Sequence, residues 1–187
     1  MAGESRQALL GRVVDHLVSA GTADLSLRQL AAAVGSSHRM LLYHFGSSEN
    51  LMEAVVLEVE QRTRTWFFEV AQPEDASLAE LVLLLWDRAS SEELEPLVRL
   101  FFALYSRMVE RRRTTELTEQ LITSWLDPAV ASLTGHGMPA QRAAELARLG
   151  LAVTRGLLLD VLATGDRVAA RAAMRAYADA VFPAGPT

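Results

Sequence analysis

The sequence predicts an all-α chain of about nine helices. Three observations carry this. Apolar residues recur three and four positions apart, as in Leu9, Leu10, Val13, Val14, Leu17 and Val18. Pairs of the form Ser-x-x-Glu or Ser-x-x-Gln open segments, and glycines close them. No run alternates apolar and polar residues over strand length, and no Asn-Gly or Asp-Gly turn divides two strand-like runs.

The elements follow in order. A first helix runs from about Ser5 to Ala20 and stops at Gly21. Ser26 with Gln29 opens a short second helix to Val34, and Gly35 breaks it. A third short helix spans about Ser37 to His44, before Gly46. Ser47 or Ser48 caps a long fourth helix to about Ala71, followed by a linker, Gln72 to Ala76, that contains Pro73. Ser77 with Glu80 opens a fifth helix to Ala89, and Ser90 with Glu93 repeats that signature. Pro96 fits the first turn of a sixth helix, which runs to the cluster Arg111, Arg112, Arg113. The seventh spans about Thr115 to Leu133, with a kink expected at Pro128. The eighth begins at Pro139 and ends near Ala163, before Gly165. Asp166 caps a ninth, which ends near Phe182.

Composition bounds the rest. Half of the 187 residues are hydrophobic, enough for a core without staples. There is no cysteine, hence no disulfide and no thiolate metal site. No stretch has the length of a membrane span, and residues 1–7 have no apolar signal core, so a soluble cytoplasmic protein is expected. The net charge of -5 argues against non-specific coating of nucleic acid. The first fifty residues are neutral, however, with Arg6, Arg12, Arg28 and Arg39 against Glu4, Asp15, Asp24 and Glu49. Every basic residue is arginine, whose planar fork suits phosphates and guanine edges.

No enzyme is expected. The histidines are His16, His38, His44 and His136, and no His-Glu-x-x-His places two on one helical face. There is no Gly-x-Ser-x-Gly and no phosphate-binding Walker loop. Catalytic residues, metal and cofactor are therefore all expected to be absent.

Residues 27–45, LRQLAAAVGSSHRMLLYHF, hold two short helices that meet at Gly35. Leu30, Val34 and Leu41 stand where a helix-turn-helix needs apolar residues, and Ala31 is small enough for close approach. In that geometry the second helix enters the major groove by its N-terminal half, presenting Ser36, Ser37, His38, Arg39 and Met40. Serine hydroxyls suit phosphates, His38 and Arg39 suit guanine N7 or O6, and Met40 suits a thymine methyl. Tyr43 and His44, one turn on, are candidates for backbone contacts, as are Arg6 and Arg28 if they face the phosphates. The alternative is a plain helix pair in which Tyr43, His44 and Phe45 only pack.

Residues 26–51 resemble the head of the TetR family of repressors. Gly35, Ser37, Leu41, His44, Phe45, Glu49 and Leu51 match the family pattern, as do the N-terminal location and the chain length. Ser36, Leu42 and Ser48 depart from it, and the lack of a basic residue at 48 removes one expected phosphate contact. The resemblance implies a one-component repressor. Residues 1–47 would form a three-helix DNA-binding domain, and residues 48–187 a helical ligand-binding and dimerisation domain.

A lone head reads only one half-site, whereas two heads about 34–36 Å apart read successive major grooves of a palindrome. A homodimer on a palindromic double-stranded operator is therefore expected. The eighth and ninth helices are its candidate seam, through Leu146, Gly150, Val153, Leu157, Val161, Met174 and Tyr177. Aromatics gather in the fourth to seventh helices. Trp66, Phe67, Trp86, Phe102, Tyr105, Met108 and Trp125 are candidates to line a cavity for a small, mainly apolar or aromatic effector. The competing reading is a dimeric ligand sensor or adaptor without specific DNA binding.

Overall fold

The computed structural model describes residues 5–21, 25–68, 76–110 and 116–183; the side chains of Phe67, Phe68, Met108, Glu110, Glu116 and Thr118 also lie outside what is described. So do the end of the fourth helix expected near Ala71, Pro73 of the expected linker and the arginine cluster at 111–113. The described residues form nine helices and no strand: α1 (Arg6–Ala20), α2 (Leu27–Ala33), α3 (His38–Phe45), α4 (Ser48–Phe68), α5 (Leu78–Ala89), α6 (Glu95–Glu110), α7 (Glu116–Gly135), α8 (Ala140–Thr164) and α9 (Arg167–Val181).

Local chemistry sets these limits. The Ser5 hydroxyl accepts from Ala8 N–H to start α1. Ser26 with Gln29 and Ser77 with Glu80 form reciprocal capping boxes that satisfy backbone groups at the starts of α2 and α5. The Ser47 hydroxyl accepts from Asn50 N–H, which makes Ser47, not Ser48, the cap of α4. Asp166 caps α9 by accepting from Ala169 N–H.

One expected start is corrected. Ser90 does not open a helix with Glu93. It ends α5, its hydroxyl donating back to the Trp86 carbonyl, while Ser91 accepts from Leu94 N–H in the turn before α6. α7 is assigned as one helix through Pro128.

The chain divides into two compact units, Met1–Thr63 with Pro96–Leu117, and Arg64–Glu95 with Thr118–Thr187. In the first, α1 buries Leu9, Leu10, Val13, Val14 and Leu17, and α4 buries Leu51, Val55, Val56 and Val59. A polar clasp joins those helices. Arg62 on α4 donates to Glu58 at 2.8 Å and to Asp15 of α1 at 2.5 Å, and Gln7 donates to Glu58 at 2.9 Å. Hydrogen bonding and charge from Asp15 and Glu58 raise the Arg62 pKa, although burial alone would lower it.

In the second unit α5 and α8 both pack on α9. Trp86, Leu83, Val161, Ala170, Met174 and Ala178 form one buried cluster, and Leu133, Ala143, Leu146 and Ala147 another. Arg171 grips Asp87 with two bonds of 2.6 and 2.7 Å, and Arg167 bonds both Glu95 and the Ser90 carbonyl. Arg171 thus fixes α9 to α5, and Arg167 fixes it to the α5–α6 turn, by directional bonds that apolar packing does not supply.

Candidate nucleic-acid interface

The interface is built on the packed pair α2 and α3. Leu30, Ala31, Val34, Leu41 and Phe45 are buried and form its frame. Gly35 has φ 64°, a region that side chains disfavour, and so permits the sharp turn between the helices. Gly35 N–H donates to the Ala32 carbonyl and Ser36 N–H to the Ala31 carbonyl, closing α2. The Ser37 hydroxyl then accepts from Met40 N–H at 3.1 Å and starts α3.

With Leu41 and Phe45 turned inward, α3 shows its opposite side to solvent. Ser37, His38, Arg39 and Tyr43 are exposed, Tyr43 at 78%, and Ser36 and Met40 are half-buried. Arg28 on α2 is exposed as well. The first N–H groups of α3 lack intrahelical partners and carry the positive end of its dipole, which favours an anion there. One surface thus combines oriented N–H groups, a hydroxyl, a guanidinium and a phenol.

His44 sits further in than Tyr43. It is half-buried, with its ring edge-on to Tyr43 at 5.1 Å, and its Nε2 is shielded from solvent without a hydrogen-bond partner. That nitrogen is not offered to a backbone phosphate. The arginines divide also. Arg6 lies over the Phe45 ring at 4.8 Å, and Arg12 donates from Nε to the Val34 carbonyl at 3.0 Å. No contact between α1 arginines and the helix-turn-helix was foreseen, because periodicity carries no signal for a bond between residues 22 positions apart.

On α8 and α9, the residues expected at the seam are covered by their own chain to different degrees. Leu146, Val161 and Met174 are buried by their own chain. Val153, Leu157 and Tyr177 pack against the cluster around Trp86. Gly150 serves close approach within the chain, since a Cβ there would lie 3.1 Å from the Tyr177 hydroxyl. Burial raises the Tyr177 pKa. The large apolar side chains that face outward are Leu149 (45% exposed), Leu159 (49%) and Val168 (82%), and Ala152 and Gly156 on α8 and Ala172 and Ala176 on α9 are exposed as well. Heptad spacing relates Leu149 to Gly156 and Ala152 to Leu159.

The expected cavity residues fall in both units. Phe102 and Tyr105 lie in the first, where Tyr105 stacks on Phe101 at 5.6 Å and Phe102 meets Phe101 edge-on. Trp66, Trp86 and Trp125 lie in the second. Arg88 covers the Trp66 ring at 3.8 Å and donates to the Trp66 carbonyl. Trp86 is buried, and its Nε1–H has no acceptor. Trp125 is half-buried. Among the described residues no three acidic or histidine side chains are grouped as metal ligands, and no helix is long and apolar enough to cross a membrane.

No protein-family model matches the chain, and no curated protein matches its sequence. Solved structures do match its fold. A transcriptional regulator from Rhodococcus sp. Rha1 has 18% identity and a TM-score of 0.73, over 95% of this chain and 96% of that one. A TetR transcriptional regulator from Legionella pneumophila has 15% identity and a TM-score of 0.69, over 97% and 100%. The multidrug binding protein EbrR, solved with imidazole, has 22% identity and a TM-score of 0.69, over 99% and 98%. Matched almost end to end at these low identities, the chain has the all-α fold of the TetR transcriptional regulators.

Proposed function

We propose that this protein is a TetR-family transcriptional repressor that binds a palindromic operator as a homodimer and leaves it when a small, mainly apolar or aromatic ligand binds. Residues 1–47 are its DNA-binding domain and residues 48–187 its ligand-binding and dimerisation domain. The observation that carries this reading is the exposed outer side of α3, with Ser37, His38, Arg39 and Tyr43, standing on the buried frame of Leu30, Ala31, Val34 and Leu41. A helix so mounted delivers its N-terminal residues to base edges, while its N–H groups meet phosphates.

Dimerisation is supported by the apolar side of α8 and α9. Leu149, Leu159 and Val168 are large and exposed, and the small residues between them permit close helix approach. Two copies related by a two-fold axis would bury this side in a four-helix bundle. A ligand function is supported by EbrR, a multidrug binding protein of the same fold. The unpaired Trp86 Nε1–H is consistent with a ligand that brings one acceptor oxygen. Such a ligand acts by binding more tightly to a body state whose heads are out of groove register.

The test is selection of duplexes from a random pool with the purified full chain at moderate salt. Enrichment of a palindrome is the expected result. A folded, dimeric chain that enriches nothing would reject the reading and favour a sensor or adaptor that does not read DNA.

A further inference from the structure

Arg6 and Arg12 supply half of the basic side chains in the first fifty residues, and each, though exposed, is engaged with another residue of the head. Arg12 reaches from α1 to the turn that separates the two helices of the reading motif. Its Nε donates to the carbonyl of Val34, the residue that ends α2. The backbone N–H groups that close α2 go to the carbonyls of Leu30, Ala31 and Ala32, so the Val34 carbonyl lies beyond that ladder. Its direction is the orientation of the peptide plane leading into Gly35, the residue at φ 64°. At the other end of α3, Arg6 lies over the ring of Phe45, the last residue of that helix. α1 therefore touches both the start of the turn and the far end of the reading helix.

We propose that Arg12 is a positioning residue that determines specificity: it sets the angle at which α3 leaves the turn and does not itself meet DNA. This rests on the DNA-binding reading above. A base-reading group has to be held within about 0.5 Å and 10–20° to discriminate. A guanidinium suits the task because its N–H vectors are fixed in a plane, whereas a lysine ammonium is a point charge without preferred direction. A residue that only positions α3 changes the choice among sequences, because the same phosphates are met before and after its loss. A residue that met phosphate would weaken all sequences alike.

The experiment uses the full chain, the duplex that it enriches from a random pool, and a scrambled duplex of the same length. Affinities for both are measured at several salt concentrations for wild type, Arg12→Met and Arg12→Lys. Thermal melting confirms that each is folded, and Arg12→Gln, which keeps a side-chain N–H, replaces the methionine variant if that one does not fold. The expected result is a drop of about tenfold or more in the ratio of specific to scrambled affinity, the size of a misplaced base contact. Affinity for the scrambled duplex and the slope of log affinity against log salt stay unchanged. Arg12→Lys does not restore the ratio. A slope shallower by about 2 for the dimer would make Arg12 a phosphate contact and overturn the proposal. An unchanged ratio would reduce it to a support of the fold. A wild-type chain that does not discriminate between any duplexes would instead reject the DNA reading, and this inference with it.

Discussion

Salt dependence follows from the way the head spends its arginines. All four in the first fifty residues are exposed, but Arg6 and Arg12 are also engaged within the head, with the Phe45 ring and the Val34 carbonyl. With Arg6 and Arg12 kept in those contacts, and with Arg28 on phosphate and Arg39 in the groove counted as one neutralised charge each, a dimer carries about four, and the slope of log affinity against log salt is then roughly -3.6. Raising salt from about 50 to 200 mM should weaken operator binding by about 150-fold. Had all four arginines of each head met phosphates, the slope would approach -7 and the loss about 10⁴-fold. Fluorescence anisotropy with a labelled duplex, titrated across that range, measures the slope. Arg28→Ala should make it shallower by about 2, one phosphate contact for each head. A wild-type slope near -7 would mean that Arg6 and Arg12 turn outward to DNA, and would refute the division of roles. A slope near zero would refute phosphate-anchored binding altogether.

Four further outcomes are expected. Leu159→Arg should split the dimer while leaving the protomer folded: about half of a leucine side chain is covered in each copy, worth roughly 2 kcal/mol over the two-fold before charge repulsion is added. Leu157→Arg should unfold the second unit instead, because that side chain packs against the Trp86 cluster; sedimentation and thermal melting of both variants check the pair. Gly35→Val should destabilise the head by about 1–2 kcal/mol through backbone strain alone, since a Cβ there meets nothing within 4 Å, and Gly35→Asn should be better tolerated; melting and duplex binding both read this. The Ser77 hydroxyl and backbone N–H donate to Glu80 and lower its pKa, so its contribution to stability is complete at neutral pH and fades as pH falls below the ordinary carboxylate range; Glu80→Gln should flatten that part of a melting series from pH 7 to pH 3.

Much of the fold was legible because its limits are local. Ser26 with Gln29, Ser77 with Glu80, Asp166, Gly21 and Gly165 act within one turn of the helix ends they define. Ser90 misled for a local reason. Two serines stand in succession, and the first was taken up by the end of α5. The frame of the reading motif was legible in the apolar spacing around Gly35. Its supports were not, because Arg12 to Val34 and Arg6 to Phe45 are made only once the chain has folded. The outward side of α8 shows another limit. Periodicity reveals that a helix is apolar on several sides, but not which side its own chain covers. Leu146, Val161 and Met174 went to the protomer core, and Leu149 and Leu159 were left outside.

The central claim is that α3 reads base edges through residues such as Arg39. Paired selections from one random duplex pool, with wild type and with Arg39→Ala, test it most directly. The account predicts a palindrome for the wild type and the same palindrome for the variant with one relaxed position in each half-site, at a loss of about 1–3 kcal/mol on the preferred duplex. Identical motifs and affinities from the two proteins, or no motif from a folded wild-type dimer, would contradict it.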